Sequence, residues 1–185
     1  MENDTIAAAF EMSEGAGARV LRAFPTRLIM DYDPFVLFDE FFVSKNASFP
    51  SHPHRGFEAV TYMLEGSFRH EDILGNSDEV GAFGVQRFTA GRGIVHSETP
   101  GDKSDVSRGL QVWINLPLRL KHIEPSYQRA AAQEIPAQRV EGGGVRTVIG
   151  PASPVKTLTE TVYLDITLEQ QVCYETAPVS GWNTF

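Results

Sequence analysis

The segment Ala59-Val60-Thr61-Tyr62-Met63-Leu64, followed by Glu65-Gly66-Ser67, has the length and composition of one β-strand that ends in a turn. Its β-branched and aromatic residues favour the extended conformation, and glycine favours the turn. Similar turn sequences recur at short intervals, at 75–77, 81–84 and 91–93. This spacing leaves room for strands but not for long helices, so the sequence predicts an all-β barrel or sandwich.

Two later segments, 110–116 and 162–168, alternate apolar and polar residues and are predicted to be half-buried strands. Between them, Gly142-Gly143-Gly144 follows a stretch rich in proline, glutamine and arginine, and it is the best candidate for a linker. We therefore predict a complete barrel over residues 1–135 and a linker with a partial second unit over 136–185. The open strand edge at 162–168 predicts a homodimer, because unpaired edges attract other strands.

Two histidine motifs predict a metal site: Ser51-His52-Pro53-His54 and the later segment that ends in His96-Ser97-Glu98. Residues two apart on a strand project from the same face, so each motif presents a pair of ligands. Pro53 favours an extended chain and a sheet edge. A single His-x-His pair is usually a surface feature. Two such pairs beside turns predict one mononuclear site held by His52, His54, His96 and Glu98.

Three imidazoles and one carboxylate with open coordination positions suit a redox-active metal, and ferrous iron is the preferred choice over zinc. Copper, nickel and manganese accept the same donors, so the sequence leaves the metal open. Phe57 and Ile94 are apolar neighbours of the motifs and are expected to line a dry pocket.

The chain also resembles the pirin family of the cupin superfamily over about residues 20 to 130. The resemblance rests on several short motifs: Asp33-Pro34-Phe35, His52-Pro53-His54-Arg55-Gly56-Phe57-Glu58, Leu64-Glu65-Gly66, Leu74-Gly75-Asn76, Thr89-Ala90-Gly91, Gly93-Ile94-Val95-His96-Ser97-Glu98 and Asn115-Leu116-Pro117. It implies a cupin-type jelly-roll β-barrel and iron held by the four predicted ligands. Pirins resemble a pair of stacked barrels, so residues 136–185 would form an incomplete second cupin-like segment, a shortened C-terminal domain.

Two positions leave alternatives open. The generic cupin pattern would make Glu58 a metal ligand, whereas pirins use the glutamate that matches Glu98, and Glu98 is preferred. Glu58 would then orient a ligand histidine or lie on a solvated strand. Many pirins have Asp-Val-Gln-Trp where this chain has Gly84-Val85-Gln86-Arg87. Arg87 alters substrate preference if it lines the pocket and is neutral if it faces solvent.

The resemblance implies a dioxygenase similar to quercetin 2,3-dioxygenase (quercetinase), an oxidoreductase that takes a flavonol-like aromatic and dioxygen. Glu98 would be both a ligand and the catalytic base that removes the substrate hydroxyl proton. The alternative is a non-enzymatic iron-binding regulator that acts through a protein partner. Two further histidines have other interpretations: His70, beside Asp72, is expected to have a structural role near a hairpin, and His122 is expected in a surface loop.

Composition limits the remaining classes. A net charge of −8 argues against direct binding of nucleic acid. The single cysteine, Cys173, excludes an internal disulfide and a cysteine metal cluster, and it fits a reducing compartment. Residues 1–15 contain no basic residue, unlike a secretory signal, and no apolar segment has the length of a membrane span. The sequence therefore predicts a cytoplasmic protein.

Overall fold

A computed structural model describes residues 8–30, 32–101, 105–176, 183 and 185. This part of the chain contains fourteen β-strands and two single-turn 3-10 helices at Leu118–Leu120 and Ala132–Glu134. The strands are β1 (Phe10–Glu14), β2 (Ala18–Phe24), β3 (Phe35–Ser44), β4 (Phe49–His54), β5 (Phe57–Glu65), β6 (Ser67–Asp72), β7 (Ser77–Gly81), β8 (Val85–Thr89), β9 (Ile94–Pro100), β10 (Val106–Asn115), β11 (Ser126–Ala130), β12 (Ala137–Val140), β13 (Gly143–Ile149) and β14 (Tyr163–Leu168). The predicted all-β class is confirmed.

Three antiparallel sheets make up the fold. The largest has seven strands in the order β1-β2-β3-β10-β5-β8-β11, and a four-stranded sheet has the order β4-β9-β6-β7. A three-stranded sheet, β12-β13-β14, completes the described part. Pro53 lies in β4 at the edge of the four-stranded sheet, the location expected for a residue without a backbone N–H.

The seven- and four-stranded sheets pack face to face around an apolar interior. Phe41 of the large sheet stacks on Phe68 of the small sheet with ring centroids 5.0 Å apart, and Phe49 meets both rings edge-on. Met63 and Val80 belong to the same buried cluster. Burial of these rings and aliphatic chains, at roughly 25 cal/mol per Å² of apolar surface, holds the two layers together.

The three-stranded sheet covers the outer face of the seven-stranded sheet. Because side chains alternate along a strand, β5 turns Met63 to the interior and Val60 and Tyr62 outward. The outward residues pack with Val148 and Ile149 of β13. This second layer explains why β5 is buried on both faces, although its sequence carries no polar side to mark one.

Two features of the C-terminal part differ from the predictions. Gly142, in the predicted linker, has a φ of 59° and lies in the turn that joins β12 to β13, so the glycine run forms a hairpin. The apolar residues at the C-terminal strand are the more exposed ones: Val162, just before β14, is 48% exposed, and Ile166 of β14 is 38% exposed. Tyr163 packs on the core instead. The division at residue 135 stays a prediction. Among the described residues, no helix has the length and apolarity needed to cross a membrane.

Candidate metal centre

The three predicted histidine ligands meet across one strand pair between the two main sheets. β4 and β9 are antiparallel, and their register sets His52 directly opposite His96. The ring centroid of His54 lies 4.5 Å from that of His52 and 5.0 Å from that of His96. One ring nitrogen from each of the three side chains lies within 4.8 Å of the others, close enough for a common metal ion.

The hydrogen bonds of these histidines leave nitrogen lone pairs available for a metal. Nδ1 of His52 lies 2.6 Å from the carbonyl oxygen of Pro50. A carbonyl only accepts, so this Nδ1 carries a proton, and in the neutral ring Nε2 keeps a free lone pair. Nε2 of His96 is buried and has no hydrogen-bond partner among the described residues. A buried polar atom normally has a partner, so this nitrogen fits a site that a metal completes.

Burial keeps His54 and His96 neutral, as metal ligands must be. Burial, with a smaller contribution from the neighbouring His52, lowers the pKa of His54 to about 4. Burial, together with the surrounding histidines, lowers the pKa of His96 to about 2. Protons therefore do not compete with a metal for these nitrogens at neutral pH.

Glu98 lies deeper in the same interior and is fixed by two amides. Its Oε1 accepts a hydrogen bond from Nε2 of Gln86 at 2.7 Å, and its Oε2 accepts one from Nε2 of Gln111 at 3.3 Å. The hydroxyl of Tyr127 donates to Oε1 of Gln86, and Nε1 of Trp113 donates to Oε1 of Gln111. Each amide oxygen is thus occupied, and each NH₂ group is turned towards Glu98.

This environment raises the pKa of Glu98 to about 7. Burial is the main cause, and the hydrogen bonds from Gln111 and Gln86 partly oppose it. The carboxyl group can therefore exchange a proton near neutral pH. Glu98 forms a second close group with His70 and His96, within 4.8 Å, rather than with His52 and His54.

Aromatic side chains surround His54. Its ring stacks at 15° on Phe88, and it meets Phe57 and Trp113 with centroids 5.1 Å and 5.0 Å away. Phe57 and Trp113 stack on each other at 4.4 Å and are half-buried. Ile94 is buried beside Phe88. Apolar rings therefore lie beside His54, and those of Phe57 and Trp113 are partly open to solvent.

Sequence reasoning expected a structural role for His70 and did not place it beside the ligand histidines. This side chain is fully buried, and its Nδ1 lies 3.2 Å from Nδ1 of His96. Its Nε2 lies 3.0 Å from Oδ2 of Asp72. The available signal was the spacing of His70 and Asp72, which is the same two-residue spacing as in the two ligand pairs. Gln86 and Gln111 carried no signal of their own.

Glu58 points away from the histidines, to the outer face of the large sheet. It accepts hydrogen bonds from Oγ1 of Thr89 and from the backbone N–H groups of Leu158 and Thr159. Arg87 lies on this outer face too, with Nη1 3.7 Å from Oε1 of Glu58, and it is only 4% exposed. The interpretations of Glu58 as a ligand, a histidine partner or a solvated residue are therefore wrong. Arg87 neither lines the histidine pocket nor faces solvent.

Comparisons with known proteins agree with this architecture. A family model described as Pirin matches residues 17–114. A pirin-like protein from Solanum lycopersicum is 45% identical over 177 residues, which are 94% of this chain and 60% of that protein. Human pirin is 42% identical over 180 residues, covering 95% of this chain and 62% of its own length. The chain thus spans about three fifths of the length of these curated relatives.

Solved structures show the same fold. GK1651 from Geobacillus kaustophilus superposes with a TM-score of 0.80 at 30% identity, covering 90% of this chain and 68% of that one. A quercetin 2,3-dioxygenase from Acinetobacter baumannii superposes with a TM-score of 0.78 at 26% identity, covering 88% of this chain and 56% of its own.

Proposed function

This chain belongs to the pirin family and has its cupin-type β-barrel fold, and on that premise we propose that it is a mononuclear iron dioxygenase that cleaves quercetin or a similar flavonol. The observation that carries the proposal is the convergence of three imidazoles, with Nε2 of His96 buried and unpaired within the described residues. The likeness to a quercetin 2,3-dioxygenase supports the substrate class.

His52, His54 and His96 would hold the iron, and Glu98, which lies close to His96, would be the fourth ligand. When bound, ferrous iron supplies Lewis-acid and dioxygen-dependent redox chemistry that no side chain of this site provides. Three nitrogens and one oxygen leave coordination positions for a substrate. Copper, nickel, manganese and zinc accept the same donors, so metal analysis is part of the test.

Glu98 would act as the base that removes the hydroxyl proton of the flavonol. In the metal-free protein burial raises the pKa of this carboxyl to about 7, which suits proton exchange near neutral pH. The contact of Oε2 with Gln111, at 3.3 Å, is longer than that of Oε1 with Gln86, at 2.7 Å. Oε2 therefore has the more available lone pair, and we assign the transferred proton to it.

The aromatic side chains would bind the flat substrate. Phe57 and Trp113 form a stacked, half-buried pair beside His54. An aromatic face of this size favours an aromatic ligand through offset stacking and burial of apolar surface.

Elemental analysis and oxygen uptake test this proposal. Protein purified with iron should contain about one metal ion per chain, as a mononuclear site requires. His54→Ala and Glu98→Ala should each lose most of it, whereas His122→Ala, at an exposed histidine, should keep it. Unchanged metal content in both site variants would refute the site.

The iron-loaded protein should consume dioxygen when quercetin is added, and Glu98→Gln should lower this rate by about 10²–10⁴ if the carboxylate is the base. A metal-loaded protein that takes up no oxygen would refute the dioxygenase. That result, with a tight protein partner recovered in a pull-down, would instead support the iron-binding regulator.

A further inference from the structure

We propose that His70 and Asp72 are positioning residues for the metal centre, because their hydrogen bonds fix His96 as the tautomer whose Nε2 lone pair faces the site. The inference rests on the proposed role of His96 as a ligand. It adds a second layer of residues, from β6, behind a ligand that comes from β9.

The contacts form a continuous buried chain. Oδ2 of Asp72 lies 3.0 Å from Nε2 of His70, and both side chains are fully buried. Nδ1 of His70 lies 3.2 Å from Nδ1 of His96. The far nitrogen of His96, Nε2, has no partner within the described part of the chain. This series of hydrogen bonds therefore runs from a carboxylate through two imidazoles to the proposed metal.

The chemistry of the three groups sets the direction of each hydrogen bond. A carboxylate only accepts, so Nε2 of His70 must carry a proton. A neutral imidazole has one N–H group, so Nδ1 of His70 is an acceptor. His96 must then donate from its own Nδ1, and its Nε2 is left without a proton. Both rings are buried, at 0% and 2% exposure, and burial disfavours a charged imidazole.

The hairpin between β6 and β7 holds Asp72, the first residue of this hydrogen-bonded series, in place. Oδ1 of Asp72 accepts hydrogen bonds from the backbone N–H groups of Leu74 and Asn76, and the Asn76 amide donates to both carboxylate oxygens. The ring of His70 stacks on Tyr127 at 4.5 Å and 17°. With the carboxylate and the ring both fixed, Nδ1 of His70 stays aimed at His96.

Without an acceptor at position 70, His96 would be free to carry its proton on Nε2. That proton would have to leave before a metal could bind, and the ring would no longer be held in one orientation. Partners of this kind, behind a ligand histidine, typically contribute about 10–100-fold to metal affinity.

The direct test is the tautomeric state of the metal-free full chain. Nitrogen-15 NMR of labelled histidines should show His96 protonated at Nδ1 and bare at Nε2, and His70 protonated at Nε2 alone. A proton on Nε2 of His96, or a doubly protonated His70, would overturn the proposal. The measurement uses neither metal nor substrate. The tautomer proposal can therefore be refuted while the proposed dioxygenase stands, and the dioxygenase can be refuted while the tautomer proposal stands.

Two substitutions test the consequence for metal binding. His70→Phe keeps a ring on Tyr127 but removes the acceptor, and it should weaken Co(II) binding by about 10–100-fold and alter the Co(II) absorption spectrum. His70→Asn puts an amide oxygen near the former Nδ1, and it should recover most of the affinity. His122→Phe is the matched control at an exposed histidine.

Wild-type Co(II) affinity and spectrum in a folded His70→Phe protein would overturn the proposal, and so would equal losses in His70→Phe and His70→Asn. If His70→Phe does not fold, the tautomer measured in the unaltered chain still decides.

Discussion

Replacing Glu98 by glutamine should change how the stability of the metal-free protein depends on pH. Burial raises the pKa of Glu98 to about 7, compared with 4.5 for an unperturbed glutamate. Below pH 4.5 the carboxyl is protonated in both the folded and the unfolded chain, and its burial carries no charge penalty. As the pH rises, the unfolded chain releases its proton first, so stability falls until the pH has passed the folded pKa.

The separation of these two pKa values corresponds to about 3 kcal/mol of unfolding free energy. The side chain is only 2% exposed, so solvent screens little of this effect. His54 and His96 act in the opposite direction: their pKa values are lowered, and the stability that they contribute is lost as the pH falls. The difference between wild type and Glu98→Gln at each pH cancels that contribution.

Urea unfolding of the two metal-free proteins from pH 4.5 to 7.5 provides the measurement. The stability of wild type relative to Glu98→Gln should decrease by about 3 kcal/mol across this range. Glu124→Gln, at an exposed surface carboxylate, shows the effect of the substitution chemistry alone. A difference that stays constant with pH, in two folded proteins, would refute a raised pKa for Glu98.

Three further outcomes are expected. Gly91→Ala should destabilise the protein by at least about 2 kcal/mol, because Gly91 has a φ of 51° and a methyl group there would overlap a backbone carbonyl. In thermal unfolding, the control Gly81→Ala, whose methyl group meets open space, should change stability by less than about 1 kcal/mol. Tyr62→Phe should cost about 1–2 kcal/mol in urea unfolding, since its hydroxyl donates to Asp165 at 2.7 Å between two sheets, while Tyr163→Phe removes a hydroxyl with no hydrogen-bond partner in the described structure and should cost less. Chelation should lower the unfolding temperature, and re-added metal at 100 times its dissociation constant should restore about 3 kcal/mol; no response to metal would contradict the site.

The sequence predicted strands best where turns and alternation agree. Gly66 and Gly75 occupy two of the predicted turns, with φ values of 70° and 88° that favour glycine. β14 is the counter-example, because its apolar residues suggested the buried face. Tyr163 and Asp165 face the neighbouring sheet instead, and Asp165 accepts the hydrogen bond from Tyr62. One hydrogen bond to a distant strand is invisible in a local pattern.

The sequence predicted the part of the candidate site that depends on spacing within one strand. His52 and His54 share a face because the pleat of a strand repeats every two residues, and their sequence alone contains that information. The side chains that hold Glu98 come from elsewhere: Gln86 lies in β8 and Gln111 in β10, both in the opposite sheet. Their contribution depends on how two sheets pack, which no spacing along the chain encodes.

Strand order and hydrogen-bond partners, rather than spacing, distinguish the proposed ligand histidines from His70, the proposed positioning residue. β9 lies between β4 and β6, so His96 has His52 directly opposite on one side and His70 within hydrogen-bond distance on the other. In the sequence, the pairs that contain His52, His70 and His96 all have the same two-residue spacing. Asp72 makes the difference, because a carboxylate beside His70 forces that ring to accept from His96. The ring with the carboxylate partner becomes the orienting group, and the ring without one keeps a lone pair for the metal.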